Sequence, residues 1–470
     1  MSRTVIGASA LGALFAFSAC PSPVHPAEAP AGSQTVDVGA TGYALRGAAS
    51  DGTTIFTSLA KANAVGIVDG TNGTPPATFT TTFSARRGAT VAWTKDLEGR
   101  GGPMVVSQQD PESARATKAQ THEGSISGSL VIAAIAGSGT VAGASVRGEP
   151  GAAIVGLDPA GGTVGWRVAL ESNEWITVTS MAARPDGGAI IGGAFSATLR
   201  VGDRVVESGG RSDGFVLTLN ADGSVAWLWR MGGTGADSVQ GVAVRDGDVA
   251  IAGVYMNDAE FGGVTLPAFD EKTPNPDAFV GVIDERTAVR KWSQTFGGLG
   301  LEEVAGVAID QDHHVAVAAT VRGELTVSGR ATTTSGPADG LVAWWNNDGS
   351  AHTSVLLGGA DFDGLRAITA AGTRVVVGGF YSGSMRLGGE TISADGGDDA
   401  FLAALDATGH VVHAWPASGP GREELVTLSS VPGGFLVGAA YTATANIAGA
   451  QVKAPADPLS GAAVAIRPVP

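Results

Sequence analysis

Acidic side chains gather beside glycine in two loop-like segments and have the oxygen chemistry that calcium prefers. The first segment contains Asp361 and Asp363, and the second contains Asp395, Asp398 and Asp399. Calcium sites in proteins are built from carboxylate and carbonyl oxygens. Neither segment has the full D-x-D-x-D-G ladder of a calcium loop. We therefore expect no cofactor and no catalytic metal, and these loops leave a structural calcium ion open as the alternative.

The histidines and the short motifs predict no catalytic set. His313 and His314 are adjacent in the DQDHHV turn, and adjacent residues of a strand or turn point apart, so the pair predicts no metal site. The sequence has no H-E-x-x-H and no phosphate-binding G-x-x-x-x-G-K pattern. We therefore expect no catalytic residues and favour a protein that is not an enzyme.

The N-terminus has the composition of a secretory signal. Arg3 precedes an apolar run from Val5 to Phe17, which is followed by small residues and is too short for a spanning helix with proper flanks. We assign residues 1–19 to a signal peptide. The single cysteine of the chain, Cys20, stands directly after this segment.

The residues FSAC, which end at Cys20, resemble the lipobox of bacterial lipoproteins, with Phe17 where leucine is usual. The resemblance implies that Cys20 is acylated and becomes the new N-terminus after cleavage. The alternative is an ordinary signal peptide cut near Ala19. An unpaired thiol is a liability in an oxidising compartment, which favours lipidation. Acyl chains would hold the protein on a bilayer surface without a spanning segment.

Residues 20–33 consist of Cys20 and the segment PSPVHPAEAPAGS, which contains too much proline and alanine to pack. They predict a tether between the lipid and a folded body. The expected location is the cell envelope, as an outer-membrane lipoprotein, with the periplasmic or surface side left open.

The net charge limits the partners. The chain has a formal charge of −16 and no block of basic residues, which argues against nucleic acid and against anionic membrane surfaces. We expect a monomer that binds a protein or glycan of the envelope and contacts the membrane only through its lipid.

A repeat of about 62 residues organises the chain. Each copy contains a phrase such as DAFVGVIDERTAVRKW (277–292), and we align the copies on the acidic or amide residue that closes its apolar part. These residues are Asp96, Asp158, Asn220, Asp284, Asn346 and Asp406, with spacings of 62, 62, 64, 62 and 60. A seventh copy, GAAVAIRP at 461–468, ends at the C-terminus.

Each period predicts four strands. A buried hairpin comes first, as in GVAVRD (241–246) and DVAIAGVY (248–255), and the phrase then supplies a third strand, a polar turn and a fourth strand near a tryptophan. Between the hairpin and the phrase lies a short protruding hairpin around a tight turn. The five copies of this short hairpin are 198–206, 260–266, 325–332, 385–392 and 446–452.

Seven first hairpins are expected. They are 43–59, a degenerate copy within 124–147, and copies that start near Ile176, Val239, Val304, Leu365 and Leu425. A linear row would leave two sheet edges exposed, whereas a ring leaves none. The last copy lacks a fourth strand, and we predict that the segment QTVDV, near residues 35–39, supplies it. The expected fold is an all-β, closed seven-bladed β-propeller over residues 34–470, as a single domain.

The combination of GG-x-G-x-D with D-A-F-V-x-x-x-D-x-x-G-x-x-x-W resembles the seven-bladed β-propeller repeat family of bacterial secreted proteins, most clearly within 213–276 and 339–415. The resemblance implies an architecture and transfers no catalytic residues. The segment 157–170 also looks like the repeat of pyrroloquinoline-quinone propeller enzymes, but the chain has no vicinal cysteines to stack on a quinone. We interpret the tryptophans as packing between blades.

The sequence is compatible with a binding module, with an enzyme and with a structural spacer. A surface-tethered binding or scaffold module would use variable loops on a rigid frame, with the protruding hairpins at 196–212 and 383–396 as the first surface to consider. The alternative is a propeller enzyme, a lyase or hydrolase, with a site in the central channel built from distant positions. A third interpretation is a spacer in the envelope without a specific ligand.

Overall fold

The computed structural model describes residues 34–39, 44–62, 79–107, 130–269, 275–395, 397–453, 455 and 461–469. All regular structure in these ranges is β-strand. The described ranges contain no helix long and apolar enough to span a bilayer. The predicted signal peptide, Cys20 and the tether lie outside the described residues.

The strands form four-stranded antiparallel meanders, here called units. Unit 1 consists of β2 (Ala44–Ser50), β3 (Ile55–Ala62), β4 (Phe79–Arg87) and β5 (Thr90–Glu98). Unit 2 consists of β6 (Arg100–Ser107), β7 (Leu130–Val141), β8 (Ala144–Leu157) and β9 (Val164–Ser172). Unit 3 consists of β10 (Ile176–Ala183), β11 (Ala189–Phe195), β14 (Asp213–Leu219) and β15 (Val225–Gly233). Unit 4 consists of β16 (Ser238–Arg245), β17 (Asp248–Tyr255), β20 (Asp277–Asp284) and β21 (Arg290–Gly298).

The later units repeat this order. Unit 5 consists of β22 (Glu303–Ile309), β23 (Val315–Val321), β26 (Asp339–Trp345) and β27 (Ala351–Leu357). Unit 6 consists of β28 (Gly364–Ala371), β29 (Arg374–Tyr381), β32 (Asp399–Leu405) and β33 (Val411–Ala417). Unit 7 consists of β34 (Glu423–Val431), β35 (Gly434–Tyr441), β38 (Ala462–Pro468) and β1 (Gln34–Asp37). The remaining strands are the short hairpins β12 (Thr198–Val201) and β13 (Arg204–Glu207), β18 (Ala259–Phe261) and β19 (Val264–Leu266), β24 (Glu324–Val327) and β25 (Arg330–Thr333), β30 (Ser384–Leu387) and β31 (Glu390–Ser393), and β36 (Ala445–Ile447) and β37 (Ala450–Val452).

Turn chemistry sets the register of the hairpins. In unit 4, β16 pairs with β17 so that Arg245 lies opposite Asp248. The two residues between them, Asp246 and Gly247, both have positive φ, of 47° and 83°. An Asp-Gly pair with two positive φ angles is the signature of the type I′ turn, whose twist matches that of antiparallel strands. The sequence prediction of this hairpin is confirmed.

The hydrophobic cores lie between units. The third strands of units 3, 5 and 6 are buried along their whole length, because both of their faces pack against other strands. One cluster of buried residues joins units 4 and 5, another joins units 5 and 6, and a further one joins Val36 and Val464 of unit 7 to Leu45 and Ile55 of unit 1. The first strands contact one another in chain order, and that of unit 7 also contacts that of unit 1. The arrangement is of the β-propeller type.

Tryptophans in the fourth strands connect successive units through a recurrent hydrogen bond. Each indole Nε1 donates to a carbonyl oxygen in the turn between the third and fourth strands of the following unit. The pairs are Trp93 to Pro159 (2.8 Å), Trp166 to Ala221 (2.9 Å), Trp227 to Glu285 (2.8 Å) and Trp292 to Asn347 (2.8 Å). Gly223, with φ of 83°, packs under Trp166, and a Cβ there would lie 2.7 Å from the ring. The interpretation of these tryptophans as packing between units agrees with these contacts.

The N-terminal strand completes the last unit. β1 pairs antiparallel with β38, with Val36 opposite Val464, as the sequence predicts. The side chain of Arg467, which is 0% exposed, stabilises this pairing. Its guanidinium donates to the carbonyl oxygens of Gln34 (2.9 Å) and Ala448 (2.6 Å) and to Thr35 Oγ1 (2.7 Å).

The five short hairpins form where they are predicted. Three of them pair with the fourth strand of the preceding unit, β12 with β9, β18 with β15 and β24 with β21, whereas β30 with β31 and β36 with β37 form separate two-stranded sheets. The fourth strand is the outer edge of each meander, and an unpaired edge invites association with other chains. These three hairpins therefore cover part of the edge of the strands they pair with.

The alignment of the first two units needs correction. Asp96 lies inside the fourth strand β5, and the turn it was taken to mark is at Gly88 instead. The supposed first hairpin within 124–147 supplies the second and third strands of unit 2, whose first strand is β6. β6 begins RGGP, and Gly-Gly-Pro has the composition of a turn, so the pattern hid this strand.

Replacing Arg467 tests how much its hydrogen bonds stabilise the pairing of β1 with β38. We expect Arg467→Met to reduce the free energy of unfolding by about 3 kcal/mol, because it leaves buried carbonyl oxygens without donors. The exposed Arg330→Met should change it by less than about 0.5 kcal/mol. Urea unfolding of both variants measures the difference. Equal stability of the two variants would show that Arg467 does not fasten β1.

Candidate functional site

A β-bulge recurs near the start of the first strand in every unit. The pairing with the second strand shifts by one residue there in every unit. A bulge leaves an extra residue outside the ladder and re-aims its side chain. The bulged residues are Arg46, Gly102 with Pro103, Thr179, Gln240, Ala305, Arg366 and Val426.

One cavity of about 970 Å³, here called the channel, is lined by the first strands of all seven units. It contains a bulged residue from each of them. Four arginines line it, Arg46, Arg245, Arg366 and Arg374, and among the described residues no aspartate or glutamate does. The other polar lining groups are hydroxyls and amides, such as Gln240 and Ser429.

A second cavity of about 460 Å³ adjoins the channel at the layer of bulges. This second cavity is here called the mouth. It shares Thr179, Gln240, Ala305 and Arg366 with the channel and adds Glu302 and Glu303. The mouth therefore brings together residues from units 3 to 6.

Aromatic rings and one carboxylate hold Arg366 at the mouth. Its guanidinium carbon lies 4.7 Å from the ring centroid of Phe380, which stacks on Phe362 with the centroids 5.7 Å apart. Arg366 Nη1 also lies 3.9 Å from Glu303 Oε2. Glu303 Oε1 accepts a hydrogen bond of 3.0 Å from Arg322, so one carboxylate serves two guanidinium groups.

Behind the mouth, carboxyl groups are buried in pairs between successive units. Each pair joins the first residue of a third strand to a residue just before or at the start of the next first strand. The pairs are Asp213 with Asp237, Asp277 with Glu302, Asp339 with Asp363, and Asp399 with Glu423, and all eight residues are at most 3% exposed. Two buried like charges repel strongly, which favours a proton on one partner.

The aspartates of these pairs accept hydrogen bonds from loop backbone. Asp237 accepts from the amides of Gly233 (2.7 Å) and Met256 (3.0 Å), and Asp363 accepts from those of Gly359 (2.5 Å) and Ser382 (3.1 Å). These contacts close the glycine-rich loops that the sequence repeats. Burial nevertheless raises the pKa of Asp237 to about 6, with the charge of Asp213 adding to the effect.

Glu302 is different because neither of its carboxyl oxygens has a hydrogen-bond partner among the described residues. Burial, followed by the charge of Asp277, raises its pKa to about 8, and the charge of Arg322 opposes the shift. Glu302 is therefore a neutral carboxylic acid at pH 7, in contact with the mouth cavity. Burial and the adjacent Asp399 likewise raise the pKa of Glu423.

The aspartates singled out in the sequence do not converge as a calcium site. Asp363 and Asp399 are buried in separate pairs, and Asp398 accepts a hydrogen bond from Ser382 Oγ at 2.7 Å. Asp361 is exposed. Within the described ranges no three carboxylate, histidine or cysteine side chains are placed to share a metal ion.

The two histidines have different partners. His313 Nε2 lies 3.4 Å from Asp246, whereas His314 Nδ1 lies 3.0 Å from Asp310 and its ring lies 4.5 Å from that of His352. They therefore point apart, as expected. The expectation that the chain has no G-x-S-x-G pattern is wrong, because residues 210–214 read GRSDG, and the Ser212 in this pattern is 7% exposed and precedes β14.

Sequence reasoning missed the residues that the structure brings together: Arg46, Gln240, Glu302 and Arg366. A signal exists in hindsight, because the bulged position of the first strand is polar in four units, as Arg46, Thr179, Gln240 and Arg366. A polar residue in an otherwise apolar strand indicates a bulge or a lining position. The repeat alone does not say that these positions meet.

No protein-family model matches the chain, and no curated protein matches it. Among solved structures it is similar to the quinohemoprotein alcohol dehydrogenase of Comamonas testosteroni, at 11% identity over 92% of this chain and 76% of that one, with a TM-score of 0.38. It is also similar to the Dos1 propeller, at 9% identity over 92% and 94%, with a TM-score of 0.41. The acylaminoacyl peptidase of Pyrococcus horikoshii gives 8% identity over 86% and 50%, with a TM-score of 0.42. Similarity at this level of identity assigns no activity to this chain.

The stability of the protein should fall as pH rises from about 5 to about 8. Glu302 is protonated in the folded chain up to a pKa of about 8, compared with an ordinary value of 4.5, so the folded state holds more protons in this window and alkali favours unfolding. Glu302→Gln should flatten the decline, and the exposed Glu324→Gln should not. Thermal unfolding midpoints across this pH range provide the measurement. A wild-type midpoint that rises with pH would contradict the assignment.

Proposed function

We propose that the chain is an envelope lipoprotein whose units close into a seven-bladed β-propeller that serves as a binding or scaffold module for a protein or glycan. Three observations support the ring. Val36 and Leu45 share one core across units 7 and 1, β1 pairs with β38, and first strands from all seven units line one cavity.

The channel mouth is the binding surface in this proposal, rather than the short hairpins. The carrying observation is the layer of bulges, which aims one residue of every unit into a common cavity. Three of the five hairpins pair with the outer strands of preceding units, which accounts for those three without a partner. The channel volume of about 970 Å³ lies at the upper end of the range for small-molecule sites, and suits a ligand or the tip of a larger partner.

The envelope location rests on the sequence of the N-terminus. The signal-like run, the lipobox-like FSAC and the proline-rich tether support a lipid on Cys20. A lipid anchor and a rigid ring on a flexible tether suit capture of partners near a membrane surface.

An enzyme is the second candidate, and Glu302 is the observation that favours it. A carboxylic acid that is neutral at pH 7 beside an open cavity and near a guanidinium group has the properties of a general acid. A lyase or hydrolase that acts on a polysaccharide is the form this candidate takes. New reducing or unsaturated ends, formed by wild type and lost in Glu302→Gln, would support it over the binding module.

Metabolic labelling with a clickable palmitate tests the anchor. We expect wild type to be labelled and to sediment with membranes, and Cys20→Ser to be unlabelled. A wild-type protein that is processed but carries no label would exclude the lipid.

Cross-linked capture from intact envelopes tests the binding surface. Ala305→Trp fills the mouth with an indole ring and should abolish capture, because Ala305 lines both cavities. Ala331→Trp makes the same change on an exposed hairpin position and should leave capture intact. Capture that survives Ala305→Trp and is lost in Ala331→Trp would assign binding to the hairpins.

A further inference from the structure

The channel has the opposite charge to the molecule that contains it. The chain has a formal charge of −16, yet the charged side chains among the described channel-lining residues are four arginines. The adjoining mouth adds Glu302 and Glu303, of which Glu303 lies beside Arg366. Cavity walls of one sign focus the electrostatic field and concentrate ligands of the other sign.

Arg46 has a buried guanidinium nitrogen, Nε, that has no hydrogen-bond partner among the described residues. The nearby charges are Arg100, which repels it, and Glu424, which attracts it. Burial, then Arg100, lowers the pKa of Arg46. A partly buried guanidinium without a full set of partners is a group that an anionic ligand would satisfy.

Two further groups belong to the same part of the ring. Arg366 projects from the equivalent bulge of unit 6 and is held by Phe380 and Glu303. Unit 7 lies between units 1 and 6 in the packing of first strands, and its Ser429 Oγ is also buried without a partner. Arg46, Ser429 and Arg366 thus offer donors from three consecutive units to one cavity.

The other end of the channel continues the pattern. Arg245 ends β16 and Arg374 begins β29, so both lie beside turns between first and second strands. Arg245 donates from Nε to the carbonyl oxygen of Ile309 at 3.3 Å, which fixes the side chain without neutralising it. Positive charge is therefore present at both ends of the channel.

We propose that the channel binds a small molecule with two or more anionic groups, carboxylate or phosphate, through Arg46 and Arg366, with Ser429 as a neutral donor. This inference rests on the proposed function of the channel as the binding surface. Guanidinium groups bind carboxylates and phosphates through paired charge-assisted hydrogen bonds, which is the chemistry such a ligand requires. Glycan ligands of this class are acidic sugars.

Calorimetric titration of the full chain in detergent tests the inference. The probes are citrate, inorganic pyrophosphate, acetate as a monoanion and glycerol as a neutral compound. We expect citrate or pyrophosphate to bind, with an affinity that falls as salt increases, and acetate and glycerol not to bind. The comparison of citrate with pyrophosphate distinguishes a carboxylate ligand from a phosphate ligand.

Matched variants locate the site. Arg46→Gln and Arg366→Gln should each weaken binding roughly tenfold or more, as expected for the loss of a charge-assisted hydrogen bond. Arg330→Gln removes the same charge from an exposed hairpin and should leave the affinity unchanged. Arg46→Lys, which keeps the charge, should fall between wild type and Arg46→Gln and decides the result if Arg46→Gln fails to fold.

Two outcomes would overturn the inference. In the first, folded wild type binds neither citrate nor pyrophosphate. In the second, Arg330→Gln weakens binding as much as the channel variants, which would indicate attraction to net charge alone. If partner capture is still blocked by Ala305→Trp in either case, the binding module stands and only its ligand class is wrong.

Discussion

The whole structure depends on the fact that a four-stranded sheet with two apolar faces cannot bury them alone. The third strands of units 3, 5 and 6 are buried throughout, and their apolar side chains belong to cores shared with adjacent units. Each unit therefore needs a neighbour on both sides. The tryptophan hydrogen bonds fix how successive units are placed against each other, because the indole Nε1 of one unit donates to a turn carbonyl of the next at 2.8–2.9 Å. The same requirement makes the junction of β1 with β38 necessary.

A frame held by such packing leaves the first strands free to carry polar residues. Bulges place those residues in the channel without disturbing the strands behind them. The charge of the channel lining can therefore differ from the net charge of the chain. The chain as a whole has a formal charge of −16, whereas the channel is lined by arginines and has no carboxylate among its described lining residues. Composition alone does not reveal this local positive charge.

In the buried carboxyl pairs, the residue next to the first strand is aspartate in some units and glutamate in others. The extra methylene group of glutamate changes the hydrogen bonding of the carboxyl group. Where the position holds aspartate, as in Asp237 and Asp363, backbone amides satisfy the carboxylate. Where it holds glutamate, as in Glu302, the oxygens have no partner among the described residues and burial raises the pKa to about 8. The repeat thus has a common structural function at this position, with a chemically distinct group in the units that carry glutamate.

Much of the architecture was determined by the sequence itself. The period near 62, the Asp-Gly and Gly-Gly turns and the unpaired last copy predicted the strands of units 3 to 7 and the pairing of β1, because strand alternation and positive φ are local properties. Units 1 and 2 were misaligned because β6 begins with Gly-Gly-Pro and Asp96 imitates a turn residue. Only the tertiary structure decided which residues share a cavity. Arg46 and Arg366 are 320 positions apart, and they line one channel because the first strand of unit 7 packs against those of units 6 and 1, a contact that no local pattern records.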